Sequence, residues 1–300
     1  MSKTHTYANR FRLKDFPYLL WDTYTAWSKA RPWRLSAVVA YYAVLSLPAL
    51  LVIIINIVGA IWGVDIVQGR LTDEFSVALG PNAAQTIEEI VQDTQNKDKN
   101  LISTLIGIAT LLFGATGVFY QLKISLNEIW RIRSSKGFDF WKLVTERAKS
   151  FAFILVIGFL LLISFIVTAA IAALNDYLKS LISEAAIYLA YTIDIFSSIA
   201  IITVMFALMF KFLPDAKIKW RAVWFGAFIT AVLFVIGKFL LGLYFGEAQP
   251  GSTYGAAGTI VLVLLWVSYS CLILFFGAQF TYTYAKKYHI YFEPYNELDP

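Results

Sequence analysis

A single cysteine, Cys271, and two histidines, His5 and His289, are all that this 300-residue chain contains of those two residue types. One thiol excludes an intramolecular disulfide and a multi-cysteine metal cluster. Histidines confined to the two polar ends leave no His/Asp/Glu cluster of the kind a metal hydrolase needs, so neither metal nor cofactor is expected. The chain has no Gly-rich phosphate loop and no Gly-x-Ser-x-Gly elbow, and with them go the usual nucleotide-dependent and serine-hydrolase chemistries. We read it as a non-enzyme. Charge is scarce as well: Asp, Glu, Lys and Arg make up 15% of the residues, too few to clothe a soluble domain of this length. No compact apolar segment with a small-residue cleavage site precedes Arg34, so a cleaved signal peptide is not expected.

Hydrophobic residues are 59% of the chain and aromatics 17%, and the mean hydropathy is +0.65. Long runs almost free of charge imply an all-α, polytopic membrane bundle. Six transmembrane helices fall at about 35–62, 101–122, 150–174, 183–212, 222–245 and 255–282, within a membrane domain of residues 35–285. Residues 1–34 form an amphipathic segment in which Phe16, Leu20, Tyr24 and Trp27 recur at helical spacing, fitting a helix in the headgroup region. The acidic segment 64–100 is broken by Gly80-Pro81-Asn82 into two short helices and reads as a small outer cap. Its Glu88, Glu89 and Asp93 lie on an exposed helix, where adjacent carboxylates are usually just solvated. A second aromatic and basic stretch, Phe138, Phe140 and Trp141 followed by Lys142, Arg147 and Lys149, is flanked by apolar runs. That placement suits anionic lipid headgroups rather than nucleic acid. Residues 286–300 form a polar tail.

Orientation follows from the basic residues. Segments 1–34, 123–149 and 211–221 carry 7, 7 and 4 Lys/Arg, whereas 64–100, 175–185 and 246–254 carry 3, 1 and 0. The alternation puts both termini in the cytoplasm.

Lys238 lies inside the fifth apolar run and Asp194 inside the fourth, and a charge in hydrocarbon is costly unless it faces protein, water or a partner. Counted from the outer ends of their helices, the two lie about 12 and about 14 Å deep at 1.5 Å per residue. Matching depth on consecutive antiparallel helices supports a gate or headgroup site. It equally supports a buried ion pair that fixes helix register, or a lysine that snorkels outward on its own. Tyr191, Asp194 and Ser198 share one polar face. Pro48 removes a backbone donor from the first span and should bend it, exposing carbonyls near Val44. With Tyr42, Trp266 and Gln279, these residues are the candidate lining of a central polar cavity. Gly114 and Gly117 in the second span, and Gly242 and Gly246 in the fifth, are candidates for close helix packing. Expected partners are membrane lipids, with a second copy of the chain or an envelope protein as further possibilities and no nucleic acid.

Ala40-Tyr41-Tyr42-Ala-Val-Leu-Ser46-Leu-Pro48, Leu213-Pro214 with Trp220-Arg221 and Gly226, Tyr254-Gly255, Leu265-Trp266 and Gly277-Ala-Gln-Phe-Thr281 together resemble the YihY/virulence factor BrkB family. The resemblance covers about residues 20–285. It implies a bacterial inner-membrane protein with six spans, associated with envelope integrity or serum resistance and, in some members, with lipid export. The family's old ribonuclease label gains no support from these residues. The family usually reads Gly-Ala-Glu in its last span, where this chain has Gln279. Any proton or cation role of that acid would be lost here, leaving hydrogen bonding. Two expectations follow: a translocator or exporter of a lipid or amphiphile, and, as the alternative, a non-transporting envelope scaffold.

Overall fold

The computed structural model describes residues 13–95, 116–132, 185–248, 257–290 and 292–294 and, singly, 145, 250 and 254. The third expected span, the outer part of the second, Gly114, and the aromatic stretch around Trp141 lie outside the described residues. What is described is almost wholly helical. In chain order the helices are α1 (Phe16–Lys29), α2 (Pro32–Trp62), α3 (Val64–Leu79) and α4 (Pro81–Gln95). Next come α5 (116–129), then α6 (Ala185–Phe212), α7 (Trp220–Ala248) and α8 (Gly258–Lys287). Two segments, Trp220–Phe245 and Gly258–Lys287, are long and apolar enough to cross a membrane, with mean hydropathies of 2.2 and 2.5. The 31 residues of α2 reach about 46 Å at 1.5 Å per residue.

Glycine sets the corners of the cap. Gly63 (φ 94°) ends α2 and Gly80 (φ 91°) ends α3, both in a backbone region that side-chain-bearing residues avoid. Pro81 follows as the first residue of α4, where its missing N–H is no loss. The expected break at Gly80-Pro81 is therefore present. Ala83 and Ile87 of α4 join Val67, Leu51, Ile55, Phe245 and Val263 in one apolar cluster, which seats the cap on the ends of α2, α7 and α8. We call this the cap end.

The opposite, tail end is held by polar staples. Asn127 donates to Asp215 Oδ2 and accepts from the Asp215 amide, both at 2.9 Å. Lys123 Nζ lies 2.9 Å from Asp215 Oδ1. Arg34 of α2 pairs with Glu128. Replacing Asp215 with Ala keeps the residue-215 amide on Asn127 Oδ1 but removes the acceptor of the Asn127 side-chain N–H and the partner of Lys123, and should lower stability by about 1–3 kcal/mol; thermal melts in detergent, with Asn127→Ala and the double variant, read the coupling.

Two short strands depart from an all-α expectation. β1 (Ala216–Ile218) pairs antiparallel with β2 (Phe292–Pro294), Lys217 facing Glu293 in register. The tail thus returns to the α6–α7 turn. Tyr288 adds a tie to the other terminus, its phenol donating to Asp15 at 3.1 Å. Burial first, then the Asp15 carboxylate, raises the Tyr288 pKa above its ordinary value.

The N-terminal helix is amphipathic: Phe16, Leu20 and Trp27 of the expected stripe pack against the core, but the face is rotated slightly so that Leu19 and Thr23, not Tyr24, lie at its centre. Leu19 and Thr23 are fully buried, Phe16 meets Phe280 and Trp27 meets Phe276 of α8. Thr23 is tolerated there because its hydroxyl donates to the Leu19 carbonyl. Tyr24, expected in the stripe, is exposed with Tyr18 and Trp21.

A close helix crossing joins α7 and α8. A Cβ on Gly226 would sit 2.8 Å from Thr281 Cβ and on top of its hydroxyl, and one on Gly277 would meet Thr230 in the same way. Each threonine donates back along its own helix, Thr230 to the Gly226 carbonyl and Thr281 to that of Gly277. The antiparallel pair is thus joined by two reciprocal Gly-x-x-x-Thr units, polar groups satisfied and backbones close. At Gly242 a Cβ meets nothing within 4 Å among the described residues. Among the described residues the interlock lies at Gly226/Gly277, where the facing residues Ala227, Ala231 and Ala278 are also small and fully buried. Gly117 is buried in α5, and the surroundings of Gly246 are outside the described residues.

Candidate functional site

The sequence candidates do not meet around one cavity among the described residues. Tyr42 is exposed and rests its ring against Tyr41. Pro48 lies within an uninterrupted α2, so it does not divide the span; its side chain is outside the described residues. Ser46, two residues earlier, donates to the carbonyls of Tyr42 and Ala43, turning its own polarity back into the helix. Tyr191 and Asp194 lie on α6, but their side chains are outside the described residues; Ser198 is exposed. Lys238 is exposed on α7, next to exposed Phe239 and Leu240. Backbone positions keep Asp194 and Lys238 at similar distances from the cap-end termini of their helices, the Asp194 nine residues from Ala185 and the Lys238 ten from Ala248. Trp266 is half-buried against the cap-end cluster. Gln279 is 4% exposed, far toward the tail end, and donates to Thr283 on its own helix.

Among the described residues a cavity lies at the cap end. α2 contributes Val44, Leu47 and Leu51, α4 contributes Ile87, and the start of α8 contributes Thr259, Ile260 and Val263. Its volume is about 120 Å³, well below the roughly 300–1,000 Å³ of a site that engulfs a drug-sized ligand. It suits a segment of one hydrocarbon chain. Ile260, 49% exposed, stands at its open side. Val44 is also the residue whose carbonyl loses its helical amide partner to Pro48.

A second, smaller cavity of about 10 Å³ adjoins it, sharing Leu51 and Ile87 as walls. Gln68, Thr72 and Glu88 give it a polar side. Glu88 is not simply solvated: Gln68 and Gln92 donate to its Oε1 at 3.1 and 3.3 Å, and Thr72 donates to its Oε2 at 3.3 Å. It reaches back between α3 and α4 and binds them together. Among the described residues no group of three or more His, Cys, Asp or Glu is placed to hold a metal. Sequence reasoning missed the groove because its walls are ordinary Val, Leu and Ile from three distant segments. The one available signal was Ile87 and Glu88 adjacent on α4, an apolar and a polar wall side by side.

A family model described as "Virulence factor BrkB" matches residues 23–298. The chain belongs to the virulence factor BrkB family. Its relatives in that family are named UPF0761 membrane proteins. One from Haemophilus influenzae is 24% identical over 90% of this chain and 95% of its own length. Another, from Mannheimia succiniciproducens, is 27% identical over 70% of this chain and 68% of its own. A relative from Pseudomonas paraeruginosa is 30% identical, matching 66% of this chain but 46% of its own length. No solved structure matches. Family membership and the apolar helices make this a helical membrane protein.

Proposed function

We propose that this BrkB-family protein translocates or exports a lipid or amphiphile across the bacterial inner membrane, with six spans and both tails in the cytoplasm. The observation that carries the reading is the apolar groove between α2 and α8, open at Ile260 beneath the cap. A groove of that size and composition suits the hydrocarbon of a lipid entering sideways. The basic excess in segments 1–34, 123–149 and 211–221 supports the tail end as the cytoplasmic side. Trp21, Trp33, Trp220 and Trp224 are exposed at that end, as suits a membrane–water boundary on either side.

Reconstitution in liposomes with fluorescent phospholipid and dithionite quenching tests this. The wild type should expose label from both leaflets, and Ile260→Trp, which fills the open side of the groove, should slow that exposure several-fold. Lys238→Ala separates any role for the α7 charge. Unchanged leaflet asymmetry with wild type, energised and unenergised, ends the translocation reading.

One observation favours the second reading, a non-transporting envelope scaffold. The tail-end half of the α7–α8 seam is closed by Gly226/Thr281 and Gly277/Thr230, leaving no passage between those two helices. A scaffold has no groove-dependent lipid movement, so the Ile260→Trp arm discriminates the two.

A further inference from the structure

The groove and the small pocket beside it have opposite chemistry and common walls. Leu51 and Ile87 line both. On one side is a channel for hydrocarbon; on the other is a space of about 10 Å³, room for roughly one water-sized group, beside the Glu88 carboxylate. Among the described residues the hydrogen-bond partners of that carboxylate are all neutral: Gln68, Thr72 and Gln92. Their hydrogen bonds hold its orientation, and none of these partners among the described residues carries a compensating positive charge. A half-buried, oriented carboxylate next to a water-sized space is complementary to a primary ammonium, which is compact and donates up to three hydrogen bonds.

We infer that the two cavities form a single amphiphilic site whose occupant is an ethanolamine phospholipid, one acyl segment in the Val44–Val263 groove and its ammonium at Glu88. The cap then reads headgroup identity, and α2 and α8 hold the chain. This names a lipid class for the translocation reading, yet it concerns binding alone and stands or falls without transport.

The test uses the full-length protein in a neutral detergent. Lyso-phosphatidylethanolamine and lyso-phosphatidylglycerol of equal chain length are titrated and bound lipid is read by native mass spectrometry. The ethanolamine lipid should bind more tightly by about tenfold, the scale of one charge-assisted hydrogen bond set. Glu88→Gln, which keeps the shape and the neutral contacts, should erase the preference. Ile260→Trp, on the exposed rim, should weaken both lipids equally and keep the preference. Equal binding of the two headgroups by wild type overturns the inference, as does a preference that survives Glu88→Gln. Tight binding of dodecylamine with none of lyso-phosphatidylethanolamine also overturns it, since the site would then take a simple amine and not a phospholipid. Failure of liposome transport with this preference intact would count against translocation only.

Discussion

Gly277→Ala should cost about 3 kcal/mol or more, the upper part of the overpacking range, because the added methyl falls on the Thr230 side chain with two helix backbones behind it. Thr230 Cβ and Cγ2 both lie 2.8 Å from where that methyl would be. Neither helix can yield locally: Thr230, Ala227, Ala231 and Ala278 are all fully buried. Removing the obstructing side chain instead of the methyl gives the decisive control. Gly277→Ala combined with Thr230→Gly removes the three atoms nearest to the new methyl and should recover most of the loss. A coupling of about 2 kcal/mol between the two sites is expected in detergent melts followed by size exclusion. The mirror-image pair, Gly226→Ala with Thr281→Gly, should recover less, because the Thr281 Cα at 3.2 Å remains. Additive losses in both cycles would mean that the helices do not cross at these residues.

Trp130→Ala is the second large effect. Trp130 is 2% exposed and is the bulkiest of the fully buried side chains. Its indole N–H donates to the Ala278 carbonyl at 2.8 Å, next to the Gly277 crossing. Truncation leaves a cavity among α5, α6 and α8, costing about 3–5 kcal/mol. Trp130→Phe separates the two contributions: it keeps most of the volume and loses the hydrogen bond, so a smaller loss of about 1 kcal/mol is expected. Equal losses for Ala and Phe would place the whole effect in the hydrogen bond and contradict the packing account.

Hydropathy and punctuation made the helices and the cap legible. Apolar runs mark α2, α6, α7 and α8, and Gly80-Pro81 marks the α3–α4 corner, because membrane length and backbone geometry leave few alternatives. The helix interlock was also written in the chain, as Gly226/Thr230 and Gly277/Thr281 at the same four-residue spacing in consecutive spans. A reading that attends only to glycine pairs settles on Gly242/Gly246 instead. The rotated face of α1 was hidden because Thr23 looks polar until its hydroxyl is seen bonded within the helix. The groove was illegible in principle: Leu47, Ile87 and Val263 carry no chemistry that distinguishes them from other apolar residues, and only folding brings them together. The similar residue counts from Asp194 and Lys238 to the ends of their helices are readable in the sequence, whereas which way each side chain turns is a tertiary property that spacing does not encode.

The α7–α8 interlock also bears on motion. Two rods that each seat a methyl-bearing side chain in the other's notch can neither slide nor roll independently, so they travel as one rigid hairpin. On the α2 side of that hairpin the meeting residues at the cap end are Leu51, Ile55, Phe245 and Val263, aliphatic and aromatic side chains with no notch of that kind, so this seam resists sliding by packing alone.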